Sequence, residues 1–193
     1  MNEIQLIRGQ LVTEREHLSA VARACASLLG KATPAQLESG TPLETFRQAG
    51  VDYLVCVLAW FEERDRRLAA LLGQYGPGHA TRDALEEALS LRGRSREALE
   101  KLEAAFASGS TDTARNLWAE FAQFFDGPWS SRRDAVEALL AHNTRPGEWR
   151  AFAAIDADGI LEERSRFERV SRALPPGASL AAPPVLGRER IQR

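Results

Sequence analysis

The chain has 193 residues, which is about the size of one domain, and 44% of them are hydrophobic, enough for a sizeable core. The formal net charge of -2 excludes the strong positive field that attracts nucleic acid or an anionic membrane surface, so we expect neither as a partner. The first residues, MNEIQLIRGQ, lack the apolar run of a signal peptide, and no stretch approaches the roughly 20 apolar residues that cross a bilayer. The sequence therefore predicts a cytoplasmic protein.

Apolar residues spaced by three and four predict helices from the start of the chain. The first helix is predicted from Glu3 to Leu29. The segment GKATPAQLESG interrupts the pattern, and TPLE then restarts it as a capping box, with Thr41 as N-cap and Glu44 reaching back. The second helix is predicted to run to about Leu72.

The second half of the chain continues the helical pattern. After the loop GQYGPGHAT, a third helix is predicted from about Asp83 to Phe106 and a fourth from near Asp112. Pro128, in the segment DGPW, predicts a kink or a break with re-capping, after which helix resumes through SSRRDAVEALLAH. Shorter helices are predicted at residues 148–154 and in ILEERSRFERV.

No strand pattern appears, and long amphipathic helices with short connections favour a bundle. The predicted fold is all-α, an up-down-up-down four-helix bundle with short C-terminal helices. The predicted domain spans residues 1–172, and the proline-rich residues 173–193 are expected to form an extended or disordered tail.

The two cysteines, Cys25 and Cys56, both lie inside apolar helical patterns. The chain has no CxxC motif and no zinc-ligand spacing. Both are therefore interpreted as reduced core thiols that pack as small hydrophobic side chains.

Polar residues interrupt the apolar face of each long helix. Glu14 stands where an apolar residue is due, with His17 one turn later, and Asp65 stands in a leucine position, with Glu62 one turn earlier. The later helices contribute Arg92, Arg132 or Arg133, and Asp134.

Buried charges need compensation, and three interpretations stay open. A metal ion can neutralise the carboxylates, arginines can do so through forked hydrogen bonds, or these faces can turn outward into solvent. Of the three histidines, only His17 is placed to point inward, whereas His79 lies in a Gly/Pro loop and His142 near a helix end. One histidine with two or three acids suits at most a single, weakly bound cation.

Four passages together resemble the hemerythrin-like family of cation-binding helical bundles, over roughly residues 3 to 155. EREHLSAV matches the family's inward histidine at His17, and WFEERDRRLAALL places Asp65 on its carboxylate position. ALSLRGRSREALEKLEAAF resembles the third helix, and the passage from Trp129 through Asp134 to GEW resembles the end of the fourth.

The resemblance implies a non-haem iron cofactor where the ligand set is intact, and it gives the candidate metal ligands His17, Glu14, Glu62, Asp65 and Asp134. The family's other histidines are replaced by Phe61, by Ser90 or Arg94, and by Trp129. These replacements predict a bundle that has lost its di-iron site and holds no cofactor.

Two functions follow as hypotheses. The first is a non-enzymatic binding or regulatory module with a protein or small-molecule partner, or a second copy of the chain; Trp60 and Trp118 are candidate surface residues, although each is more typical of a core. The alternative is a cation-binding or oxygen- or NO-responsive protein with a reduced ligand set. An enzyme has no support, because the sequence shows no nucleophile–base pair, phosphate loop or complete metal triad.

Overall fold

The regular structure of the protein is helical wherever it is described. The computed structural model describes residues 3–75, 79–108, 112–114, 116–118, 121 and 157–180. Within these ranges lie the helices α1 (Glu3–Leu29), α2 (Pro42–Tyr75), α3 (His79–Ala107) and α4 (Ala157–Ala173), and a 3₁₀ helix (Pro34–Leu37). These same ranges contain no strand, so the predicted all-α class is confirmed for them.

The helix bounds follow the apolar pattern closely at the start of the chain and less closely later. The bounds of α1 are those predicted. In contrast, α2 continues past Gly73 to Tyr75 and α3 already begins at His79, so the predicted loop is much shorter than GQYGPGHAT. A glycine inside a helix costs only about 1 kcal/mol, which the packing of a long helix overrides. His79, predicted in a loop, is therefore the first residue of α3.

The start of α2 forms half of the predicted capping box. The Oγ1 of Thr41 accepts a hydrogen bond of 3.2 Å from the backbone N–H of Glu44. The Glu44 carboxylate accepts hydrogen bonds from Arg47 at 2.7 and 2.8 Å instead of reaching back to the cap. These bonds lower the pKa of Glu44 below its ordinary value. Gly40 just before the cap has a φ of 85°, a conformation that favours glycine.

Helices α1 and α2 are antiparallel and pack very closely. Gly50 approaches α1 near Cys25, and a Cβ built at Gly50 would lie 2.6 Å from the Cys25 Sγ. Further along, Arg64 of α2 contacts Glu14 of α1. Since the residue numbers rise along one helix as they fall along the other, the two helices run in opposite directions.

Helices α2 and α3 are also antiparallel. An Arg47 Nη1 lies 2.8 Å from Glu103 Oε1 at one level, and an Arg96 Nη1 lies 3.1 Å from Glu62 Oε2 at another. The three long helices therefore alternate in direction. The complete up-down-up-down bundle stays a prediction, because most of the predicted fourth helix lies outside the described residues.

The core lies between α1, α2, α3, α4 and the start of the predicted fourth helix. Trp118 is fully buried there, with the Phe121 ring edge-on at 5.6 Å between centroids, whereas Trp60 is half-buried. The largest fully buried side chains are those of Trp118, Tyr53, Phe46, Phe61, Phe121, Leu18, Leu54 and Leu99.

Helix α4 packs mainly on α2 and also contacts α1. The chain beyond it stays on the protein surface: Leu174 and Leu180 pack against the core, and Gly177, with a φ of 82°, turns the chain between them. The first part of the predicted tail thus contacts the bundle through apolar side chains.

Several predictions fall outside the described residues. They are the break around Pro128, the resumed fourth helix with Arg132, Arg133 and Asp134, the helix at 148–154, His142, and residues 181–193. Within the part of the chain that is described, no helix is both long and apolar enough to cross a membrane.

Candidate functional site

Glu14 is a buried carboxylate held by an arginine. Its side chain is almost completely enclosed, as its place in the apolar seam of α1 predicts. Arg64 Nη1 donates a hydrogen bond to Glu14 Oε2, and Arg64 Nη2 lies 3.4 Å from Glu14 Oε1. Gln10 Nε2 donates a further hydrogen bond of 3.1 Å to Oε1. The forked guanidinium thus supplies the countercharge that a buried carboxylate requires.

Arg64 of α2 is a buried charged residue that the predicted seam, drawn through Asp65, does not include. Arg64 is 6% exposed, and its guanidinium carbon lies 5.6 Å from the centre of the Phe61 ring. Val57, Phe61 and Arg64 follow each other at helical spacing on the buried face. Arg64 is three residues after Phe61 and Asp65 is four, so helical spacing continues the seam to either residue. This spacing is the sequence signal from which Arg64 could have been found. The side chain of Asp65 lies outside what the structure describes.

A second buried carboxylate, Glu163 of α4, joins three helices. Its side chain is 1% exposed. Its Oε1 accepts a hydrogen bond of 2.6 Å from the Tyr53 hydroxyl of α2 and lies 3.0 Å from His17 Nδ1 of α1. Sequence reasoning missed Glu163, although Glu163, Phe167 and Val170 have the spacing of one helical face.

His17 is held by a hydrogen bond and by a ring contact. Its imidazole stacks on the Phe167 ring with 3.7 Å between centroids and 10° between planes. Because the Glu163 oxygen acts as acceptor, the tautomer that makes this contact carries a proton on Nδ1. In the neutral form of this tautomer the lone pair lies on Nε2. The His17 side chain is 25% exposed, at the edge of a cavity between α1 and α4.

Tyr53 acts as a donor in this cluster. Burial, together with the adjacent Glu163 carboxylate, raises the pKa of Tyr53 far above its ordinary value. The hydroxyl therefore stays protonated and donates to Glu163 at any ordinary pH. The Tyr53 ring also contacts Phe167, at 6.1 Å between centroids and 59° between planes.

The cavity beside His17 has a volume of about 440 Å³. Its α1 wall contains Gln10 and Thr13, and its α4 wall contains Ile160 and Arg164. Two other depressions occur in the described structure. One of about 600 Å³ lies where α1 ends and α2 begins, next to residues 175–176, and one of about 360 Å³ has an apolar floor between α2 and α3.

The candidate metal ligands that the structure describes each have a different protein partner. Glu14 contacts Arg64, His17 contacts Glu163, and Glu62 accepts hydrogen bonds from two arginines, Arg66 at 2.6 Å and Arg96 at 3.1 Å. Asp134 lies outside the described residues. Among the residues whose positions are described, no group of three or more His, Cys, Asp or Glu side chains is arranged to hold a metal ion.

Both cysteines are free thiols. Cys25 is completely buried, and burial raises its pKa far above the ordinary value. Cys56 is half-buried on α2; burial raises its pKa too, against the opposing charge of Arg166. The interpretation as a core thiol is confirmed for Cys25, while Cys56 lies at the edge of the core.

Comparison of the chain with known protein families, with curated proteins and with solved structures finds no match in any of the three. The hemerythrin-like resemblance stays a prediction that rests on helix order, on loop placement and on the passage from the fourth helix to GEW.

Proposed function

We propose that the protein is a non-enzymatic binding or regulatory module, built on a hemerythrin-like bundle that has lost its di-iron site. The observation that carries this proposal is the fork between Arg64 and Glu14. Inside the bundle the carboxylate already has a positive partner, so it needs no cation to compensate its charge.

The same fork disfavours a metal at this position. A guanidinium carries a permanent positive charge and occupies carboxylate lone pairs that a cation would use. Repulsion between two cations grows as the dielectric constant falls, so it is strong next to a buried arginine. His17 has one nitrogen engaged with Glu163, which leaves only Nε2 for a ligand.

The cavity between α1 and α4 supports a binding role. Its volume of about 440 Å³ falls within the range of about 300–1,000 Å³ that is typical of small-ligand pockets. Gln10, Thr13 and His17 line its α1 side, and Ile160, Arg164, Phe167 and Glu168 line its α4 side. A pocket with a mixed wall of this kind can orient a ligand that has both an apolar body and a hydrogen-bonding group.

Metal analysis tests the first half of the proposal. The protein is produced in iron-rich medium, and its metal content is measured by mass spectrometry together with its visible absorption. We expect far less than one iron per chain and no charge-transfer band. About two irons per chain with such a band would establish the alternative, an iron protein of the hemerythrin type.

Thermal-shift screening with small organic ligands tests the second half. Thr13→Trp fills the cavity, and Val12→Trp is a matched control because Val12 is 43% exposed on the same helix and does not line the cavity. A ligand of the cavity raises the Tm of the wild type and of Val12→Trp but not of Thr13→Trp. Equal shifts for all three proteins, or none for any ligand, would contradict a binding role for this cavity.

A further inference from the structure

The polar side chains on the α1 side of the cavity already use donor groups within the protein. Gln10, Thr13 and His17 line this side three and four residues apart, so they lie on one face of the helix. The Thr13 hydroxyl donates a hydrogen bond of 3.1 Å to the backbone carbonyl four residues earlier. An amide N–H of Gln10 donates to Glu14, and the Nδ1 proton of His17 is directed to Glu163.

These internal bonds leave mainly acceptor groups for a ligand. A hydroxyl whose proton is engaged keeps its lone pairs, and a neutral imidazole with its proton on Nδ1 keeps a lone pair on Nε2. Among the residues that the structure describes, no donor is bonded to His17 Nε2. Gln10 keeps its amide oxygen and a second N–H. Two of the three side chains can therefore only accept hydrogen bonds from a ligand, and the third can do either.

The α4 side of the cavity adds negative charge and apolar surface. Its lining contains two carboxylates, on Glu163 and Glu168, and one guanidinium, on Arg164. The Arg164 Nε lies 3.5 Å from Glu168 Oε1, and the arginine side chain is 74% exposed, so water screens its charge. With a neutral imidazole on the other side, the lining carries a net negative charge and favours a cation over an anion. Ile160 and Phe167 provide the apolar part of the lining.

We propose that the cavity between α1 and α4 binds a primary ammonium group carried on a short apolar body. An ammonium has three N–H donors and no acceptor, which matches the lone pairs of His17 Nε2 and Thr13 Oγ1 and the negative charge of the lining. The apolar body packs against Ile160 and Phe167. The inference rests on the proposed role as a binding module and names the ligand class of its cavity.

Three probes of similar shape test the ligand class on the full chain by isothermal titration calorimetry. They are 2-phenylethylammonium, 2-phenylethanol, which lacks the charge, and phenylacetate, which has the opposite charge and no donor. We expect the ammonium to bind at a single site and at least about tenfold more tightly than the other two, because its hydrogen bonds are charge-assisted. Equal or tighter binding of the alcohol or the carboxylate, or no binding of the ammonium, would overturn the inference.

Substitutions show whether the ammonium lies in this cavity. Thr13→Val keeps the shape of the side chain but removes an acceptor, so we expect it to weaken binding of 2-phenylethylammonium by about tenfold. Thr45→Val is the matched control, because the exposed Thr45 hydroxyl also donates to the carbonyl four residues earlier and Thr45 does not line the cavity. Equal affinities of the two variants would overturn the inference.

Arg164→Gln tests the sign of the charge in the cavity. It removes the opposing positive charge from the lining, so we expect 2-phenylethylammonium to bind about twofold more tightly or better. Weaker binding of the ammonium by this variant would contradict the inference.

The thermal-shift screen separates this inference from the proposed function. If the ammonium does not bind but another compound raises the Tm of the wild type and not that of Thr13→Trp, the cavity takes a different class of ligand and only this inference is overturned. If no compound raises the Tm, the inference and the binding role of the cavity both fail.

Discussion

Arg64 of α2 and Glu14 of α1 form a forked ion pair inside the protein, with 6% and 1% of their surfaces exposed. Removing two charges from water carries a desolvation cost that the pair repays only through good geometry and further hydrogen bonds. Gln10 supplies one such bond to the carboxylate. The pair therefore ties α1 to α2 through a charged contact inside the protein.

Close approach of α1 and α2 gives a first prediction. Gly50→Ala places a Cβ 2.6 Å from the Cys25 Sγ, so we expect a loss of about 1–3 kcal/mol in the free energy of unfolding. Cys25→Ala in the same chain removes the clashing sulfur and recovers most of that loss.

Gly93→Ala is the matched control, because nothing lies within 4 Å of its Cβ position, and it should stabilise α3 by about 0.5–1 kcal/mol. Urea unfolding measures all three, and similar effects at Gly50 and Gly93 would refute the close contact.

Glu163 gives a second prediction. Glu163→Leu leaves the buried Tyr53 hydroxyl without an acceptor and should destabilise the protein by about 1–3 kcal/mol. Glu162→Leu is the control, because Glu162 is exposed on the same turn and should change stability by no more than about 0.5 kcal/mol. Hydrogen exchange shows where the loss falls, and we expect faster exchange in α4. Equal effects of the two substitutions would show that the Tyr53–Glu163 bond adds no stability.

Two buried acids, Tyr53 and Cys25, predict sensitivity to alkaline pH. Burial raises the pKa of both groups in the folded state, above their ordinary values of 10.0 and 9.0. The stability they contribute is complete below those values and is lost as pH rises, because only the unfolded chain then releases the protons. Above its unfolded pKa, each group lowers the free energy of unfolding by about 1.4 kcal/mol for every further pH unit.

Urea unfolding at several pH values between 8 and about 11 measures how the free energy of unfolding decreases as the pH rises. Tyr53→Phe removes the phenol proton, so its stability should decline less steeply than that of the wild type above pH 10.0, the ordinary pKa of a tyrosine. Cys25→Ala should show a smaller slope from pH 9.0 upwards, the ordinary pKa of a cysteine. Parallel curves for the variants and the wild type would mean that neither group stays protonated in the folded protein.

Local sequence signals predict the helical class and the bounds of α1 because apolar spacing decides both. The same spacing predicts the burial of Glu14, since only one residue of that turn continues the seam. The seam of α2 is less well determined: a helix with 3.6 residues per turn allows Arg64 or Asp65 to follow Phe61. Local spacing does not decide between them; the structure buries Arg64, for which α1 presents the Glu14 carboxylate as partner.

The contacts among His17, Tyr53 and Glu163 depend on how α4 packs on α1 and α2, which a local sequence pattern does not predict. Glu163 is distant in sequence from both Tyr53 and His17, and the segment ILEERSRFERV predicts only a short amphipathic helix. Its docking on α1 and α2 brings the three side chains together. A search for buried acids at apolar spacing, applied to this helix as it was to α1, finds Glu163 between Ile160 and Phe167.

A double-mutant cycle measures whether Arg64 compensates Glu14 in the protein interior. Arg64→Met and Glu14→Leu are made singly and together, and the free energy of unfolding is measured in urea. Each single change strands a buried charge and should cost about 3–5 kcal/mol, whereas the double variant should recover most of that loss. Arg66→Met, on an exposed arginine of the same helix, should cost no more than about 1 kcal/mol. Single losses that simply add in the double variant would show that the two charges do not depend on each other and that Arg64 does not compensate Glu14.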